Sequence, residues 1–292
     1  MRKNPIAHAG KIFRSHLLLL PKAPKYILLS LLSAAFLFPV AFTVANSFVT
    51  GGEIAETYFG ETDAGFIFIP GKASLIEYYH VLFRSPAFLR LFWNSVLITA
   101  PIVAGQVVVS SMAAFAFAKL RFPFRDKLFF IYIVVMMMPF QVTLVPNYIT
   151  LSDLGLIGSY ASVILPGIFT TFGTFLLRQF MVYIPDEYID AARMDGAGSA
   201  ELFLRIVVPQ VKAGVASLIL LSFIDNWNMV EQPLIFLNEQ TMMPLSIVLN
   251  TISSSDIGIA FVCGVIFMTP PVLLFLYGKD NLVQGIQMSG IK

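Results

Sequence analysis

Long apolar runs separated by short polar turns dominate the chain. Six of these runs approach the roughly 20 residues that a helix needs to cross a hydrocarbon core of about 30 Å. They cover approximately residues 26–48, 89–117, 128–148, 160–183, 215–237 and 257–277. Pro39 falls inside the first, which is tolerable where neighbouring helices re-satisfy the freed carbonyl. The second carries Asn94, Gln106 and the small residues Ala104, Gly105, Ser110 and Ser111, which allow close helix packing in lipid. The pattern predicts an all-α integral membrane fold of six spans. It shows no paired interrupted segments of the kind that mark secondary transporters and no short-period repeat.

Two polar stretches break the pattern. Residues 49–87 hold Glu53, Glu56, Glu61, Asp63, Lys72, Glu77 and Arg84, and their aromatics and Gly/Pro punctuation predict a folded cap. Residues 184–214 are punctuated as two short helices. Pro185 suits a first helical turn, where its missing N–H costs nothing. Asp186 and Glu187 sit where the helix dipole favours acid, and Gly196 reads as a stop. Ser199 then caps a second helix with Glu201 in its first turn, running to Val208 before Pro209 ends it.

Composition agrees with the pattern. The chain is 57% hydrophobic and 12% charged, with a mean hydropathy of +0.80, whereas soluble domains carry about 25% charged residues. The positions of the cations orient it. Of the 19 lysines and arginines, sixteen lie in residues 1–25, in the 119–127 turn, around the 184–214 stretch or in the tail. Three, Lys72, Arg84 and Arg90, lie on the other side. This positive-inside bias predicts cytoplasmic termini, a cytoplasmic 184–214 loop and an external 49–87 loop. No cleavable signal peptide is expected. The net charge of +2 says nothing for nucleic acid, and no such partner is expected. The single Cys263 excludes an internal disulfide and any multi-cysteine metal site.

No catalytic constellation is present. His8, His16 and His80 all lie outside the spans, so an intramembrane hydrolase lacks a nucleophile–base pair. No phosphate-binding GxxxxGK[ST] occurs, since Gly71-Lys72 is followed by Ala73. If the chain moves solute uphill, the energy comes from another polypeptide.

The segment Asp190-Ala191-Ala192-Arg193-Met194-Asp195-Gly196-Ala197, closing at Pro209, resembles the EAA loop of ABC importer permeases. That pattern is roughly Glu-Ala-Ala-x-x-Asp-Gly-Ala, followed by a dozen residues ending in Ile-x-x-Pro. Asp190 stands where Glu is usual, one methylene shorter. The resemblance extends over nearly the whole chain and points to the smaller-permease subfamily of maltose-type carbohydrate importers. Phe38-Pro39, Asn94-Ser95, Leu154-Gly155-Leu156, Trp227-Asn228 and Pro233-Leu234 support it, while Phe122-Pro123-Phe124-Arg125 departs slightly from the relatives' turn. It implies a type I importer permease fold, with a basic cytoplasmic segment at 1–25 and a transmembrane domain at 26–292. The 184–214 loop would be the coupling loop, and Glu187, Tyr188, Asp190, Ala191, Ala192, Arg193, Asp195 and Gly196 would meet an ATPase. Positions 188, 191, 192 and 195 share one helical face, so Tyr188 and Asp195 flank an alanine pair. The implied partners are a second homologous permease, an ATPase dimer, an external solute-binding protein (for which 49–87 is a candidate surface) and membrane lipid. No cofactor is expected on this chain, which is not itself an enzyme; ATP and Mg belong to the ATPase. The implied location is a bacterial or archaeal cytoplasmic membrane.

Span five supplies a second candidate site in Asp225, Asn226, Trp227, Asn228 and Glu231. A charge at the bilayer centre costs about 2.5–3.5 kcal/mol on insertion scales. Two acids in one span therefore require a partner, a watery lumen or a position near the interface. Planar polar groups with an aromatic face suit a sugar. Trp as an interfacial anchor and Asn as helix glue are the structural readings. An ion-coupled secondary transporter using Asp225 and Glu231 is the alternative function, and it leaves the EAA-like loop unexplained. Met136–Met138 read as packing or gate plasticity, and Arg178 as a snorkelling anchor.

Overall fold

In hydrocarbon every backbone N–H needs a partner within its own segment, and the regular elements of the described residues are accordingly all helical. The computed structural model describes residues 22–59, 71–249 and 257–290. Most of the basic 1–25 segment and the middle of the 49–87 excursion lie outside the described residues. The chain divides into two compact units, one from residues 1–78 and 255–265, the other from 79–254 and 266–292.

The first unit holds α1 (Lys22–Asn46) and α2 (Gly51–Phe59). Hydrogen bonds tie the described excursion residues up to 78 together here. Glu77 Oε1 accepts from the Gly51 amide at 3.0 Å and Glu53 Oε1 from the Gly71 amide at 3.3 Å. Tyr58 donates its hydroxyl to Asn46 Oδ1 at 3.0 Å.

The second unit is built around α3 (Pro86–Lys119), a 34-residue helix about 51 Å long. The run of small residues read from the sequence lets neighbours approach it. A Cβ on Gly105 would fall 2.5 Å from Ile168, so only glycine fits at that crossing. The helices that follow are broken where continuous spans were expected. The third run is α4 (Arg125–Met136) and α5 (Phe140–Asp153), bent by 100°. The fourth is α6 (Ala161–Ile168) and α7 (Thr171–Val182), with Thr170 capping α7 by accepting from the Gly173 amide. The fifth does not run from 215 to 237. It comprises α10 (Lys212–Trp227), a gap, and α11 (Glu231–Phe236). The expectation of uninterrupted spans is thus corrected for the third and fifth runs, while the fourth, despite its two-residue interruption, is one candidate span of 22 residues, Ala161–Val182. Among the described residues four helices are long and apolar enough to cross a membrane, or six if each bent pair counts as one span.

Between α7 and α10 lie α8 (Asp186–Met194) and the helical run α9 (Ser199–Gln210). Helix α9 ends at Gln210, one residue past Pro209 and close to the expected stop, so that Pro209 sits in its last turn. The preceding turn, Leu202–Val207, is π-helical, and Val208 N donates to Phe203 O five residues back. A proline removes one donor and crowds the carbonyl four residues behind it; the wider π turn accommodates both.

After α11 the chain returns to α3 through a short 3₁₀ turn (Gln240–Met242) and α12 (Leu245–Leu249). Asn94 Nδ2 donates to Thr241 O at 2.8 Å and Met243 O at 3.0 Å, and Tyr160 donates to Asn94 Oδ1 at 2.8 Å. Ser95 Oγ accepts from the Leu245 amide at 2.8 Å. A final helix, α13 (Ile257–Gly290), extends beyond the expected span end at 277.

Candidate functional site

The polar loop and span five fold into two separate features of the second unit. In the loop, α8 starts just after Pro185 with acids in its first turn and ends in a bonded turn. Gly196 N donates to Arg193 O at 3.0 Å and Ala197 N to Ala192 O at 2.9 Å, with Gly196 at φ 87°. This is a Schellman closure, whose usual accompaniment is an apolar contact between the residues flanking it. Ala192 and Ala197 hold those two places, both half-buried against the core beneath. The Ala-x-x-Asp-Gly-Ala spacing is therefore a helix-stop device as well as a surface.

One residue of α8, Ile189, is buried, at 3% exposure. It enters a core formed by Ala114 and Phe115 of α3, Leu177 and Phe180 of α7, Leu202 and Val207 of α9 and Leu218 of α10. The exposed stripe runs through Glu187, Tyr188, Ala191, Met194 and Asp195, with Asp190 and Arg193 beside it and 3.8 Å apart. This corrects the expected face. Ala192 turns inward to the core, and Met194, 88% exposed, takes its place. Ile189 and Met194 were missed, although a lone isoleucine in a polar helix is a legible sign of an anchor.

Lys119, at the end of α3, fixes where the loop starts. Its side chain is 5% exposed, and Nζ donates to Ile184 O and to Asp186 Oδ1, both at 2.6 Å. That hydrogen bond, then the Lys119 charge, holds the Asp186 carboxyl below the usual carboxylate range. Arg178 does not snorkel freely. Its guanidinium lies 3.9 Å from the Phe129 ring centroid, and Nε donates to Phe117 O at 3.4 Å, a cation–π contact inside the bundle.

The second feature is a cavity of about 780 Å³. It opens where the three broken runs interrupt, bordered by Met136 and Met138, by Phe169 and Thr170, and by Asn228 to Glu231. Helix ends leave backbone donors and acceptors without intrahelical partners, which adds to the polar side chains of the lining. Asp225, Asn228 and Glu231 are exposed on it, and Gln141 Nε2 lies 3.2 Å from each Glu231 carboxylate oxygen. Asn226 borders it but is buried, its amide donating to Ser222 O at 2.7 Å. Trp227 does not belong to the lining. It is 1% exposed, stacked on Phe223 and Phe267, and donates Nε1 to Phe267 O at 3.0 Å. The expected sugar-facing tryptophan is a packing residue, its ring needing burial and its N–H a partner. Among the described residues no group of His, Cys, Asp and Glu could hold a metal ion.

Comparison with known proteins identifies the class. The sequence profile of the family described as "Binding-protein-dependent transport system inner membrane component" matches residues 106–287, more than half of the chain. The chain belongs to that family. It is an inner-membrane permease component, and in this family ATP hydrolysis resides on a separate subunit. The permease is 29% identical over 260 residues to the sn-glycerol-3-phosphate transport system permease protein of Brucella melitensis, covering 85% of this chain and 90% of that protein. It is 33% identical over 202 residues to the protein of the same description in Agrobacterium fabrum, covering 68% and 72%. It is 29% identical over 229 residues to the arabinooligosaccharides transport system permease protein of Halalkalibacterium halodurans, covering 77% and 82%. A solved bacterial ABC transporter involved in import of the acidic polysaccharide alginate shares its fold, with a TM-score of 0.77 at 18% identity over 97% of this chain and 99% of the other.

Proposed function

We propose that this permease carries a sugar-type solute across the membrane by alternating access and receives its driving force at α8. The relatives named for glycerol phosphate and arabinooligosaccharides support a small polyhydroxylated solute. The observation that carries the energy-input reading is the construction of α8. Its outer face, with Tyr188, Ala191, Met194 and Asp195, is free to meet a partner, while Ile189 roots it in a core shared by α3, α7, α9 and α10. A push on the exposed face is delivered to helices whose broken ends line the cavity. The small Ala191 admits close backbone approach, and the flanking acids suit a basic groove. The cation distribution supports a cytoplasmic position for this loop. The partners are an ATPase dimer that holds ATP and Mg, a second permease completing the pathway, and an external binding protein that delivers solute.

The test is uptake by the complete complex in proteoliposomes. Transport that tracks ATP hydrolysis and survives collapse of the ion gradients supports the proposal. Transport that stops with the gradients while ATP remains would instead assign Asp225 and Glu231 to ion coupling.

A further inference from the structure

The cavity is one-sided in charge. Its lining includes Asp225 and Glu231 but, among the described residues, no lysine, arginine or histidine. Neither carboxylate has an ion-pair partner among the described residues. Glu231 is met by the neutral Gln141 amide. Asp225 lies in the last turn of α10, where the negative end of the helix dipole adds to its potential instead of offsetting it. The remaining polar lining includes Gln106, Thr143, Asn147 and Asn228. Thr143 gives its hydroxyl hydrogen to Phe140 O, and Gln106 and Asn228 each give one amide hydrogen to a backbone carbonyl. This leaves their oxygens to accept from sugar hydroxyls and the amides a second hydrogen to donate. The volume falls within the range of about 300–1,000 Å³ typical of small-molecule sites. Low-dielectric walls focus the field of such charges into the space between them.

We infer that this cavity selects for polyhydroxylated solutes that are uncharged or bear an amine, and discriminates against carboxylated or phosphorylated ones. The inference rests on the permease reading above and adds to it a selection step built into this chain, at Asp225 and Glu231. It sets this protein apart in solute charge from relatives named for a phosphate ester.

The charge of the cavity can be read independently of any sugar. In the assembled complex, with Cys263→Ala as background, Thr143→Cys and Asn147→Cys are prepared as separate variants. Each is modified with a cationic and an anionic methanethiosulfonate reagent, every rate being divided by that reagent's rate with a small free thiol. The cationic reagent is expected to be faster by roughly 10-fold or more, and Asp225→Asn with Glu231→Gln should bring the ratio close to one. Glu239→Gln, outside the cavity, should leave it unchanged. Equal or faster anionic modification, a ratio insensitive to the double neutralisation, or no modification of either cysteine overturns the inference. ATP-driven uptake with an anion-favouring cavity would sink this inference alone. A cation-favouring cavity without ATP-driven uptake would sink only the proposal on which it rests.

Discussion

Replacing Gly196 isolates the contribution of a single backbone conformation. The residue sits at φ 87°, and a Cβ built there meets nothing within 4 Å. The cost of Gly196→Ala is therefore conformational and not steric, about 1–2 kcal/mol for an L-residue in the left-handed region. That changes the balance between the intact and unwound turn by roughly 5–30-fold. Asparagine enters this region readily, so Gly196→Asn should lose much less. Proline is locked near −65° and also lacks the N–H that donates to Arg193 O, so Gly196→Pro should abolish the closure. Transport per ATP hydrolysed, and the amount of ATPase subunit retained on purification, should fall in the order Gly, Asn, Ala, Pro while membrane insertion stays constant. Alanine performing as well as glycine, or asparagine no better than alanine, would refute the claim that this turn sets the position of α8.

The two alanines of the motif should separate by site. Ala191→Arg lies on the exposed stripe and should abolish ATPase retention without changing the melting temperature, whereas Ala192→Arg forces a charge into the core and should lower it; identical thermal behaviour would contradict the assigned faces. Trp227→Ala should destabilise the permease by about 3–5 kcal/mol in denaturant unfolding, while Asn228→Ala should leave stability unchanged and alter uptake. The Asp186 carboxyl is held low by Lys119, so its contribution is fully present above the ordinary carboxylate pKa and is lost as pH falls through the lowered folded value. At 74% exposure that contribution stays within the range of about 0–1 kcal/mol of surface pairs. Asp186→Asn should correspondingly flatten the acid limb of a melting-temperature profile, and an unchanged limb would remove the Lys119 contact from the account.

The legible part of the architecture was the part written in hydropathy. Helices α1, α3 and α13 begin close to where their apolar runs begin, because a spanning helix needs uninterrupted oil. The breaks at 137–139, 169–170 and 228–230 were not legible. Residues flanking the breaks at 137–139 and 169–170 are largely apolar, and tertiary packing decides where the backbone turns. The break at 228–230 lies in the polar run Asp225–Gln232, which reads equally well as a site within a continuous helix. Pro139 marks one break, yet Pro146, Pro166 and Pro209 lie inside helices, so proline alone does not discriminate. The motif at 190–197 was legible as a pattern, but not the division of labour within it. Ala191 and Ala192 are the same side chain one position apart, and only the bonded turn at Gly196 and the seat of Ile189 decide which faces out. Trp227 was misread because aromatic and polar neighbours in sequence point to different sides of a helix.

The clamp at Asn94 joins residues synthesised far apart. The acceptors for its amide, Thr241 and Met243, follow it by 147 and 149 residues, and Ser95 waits 150 residues for the Leu245 amide. Until the ribosome has passed residue 245, the start of α3 presents amide and hydroxyl groups with these bonds unmade, at a cost in any water-poor setting. Tertiary closure at this end is therefore a late event of biogenesis, completed after most of the other helices exist. A chain that stalls or is cut between α11 and α12 would retain its oily segments and still be a quality-control substrate, recognisable by two polar side chains at the head of its longest early helix.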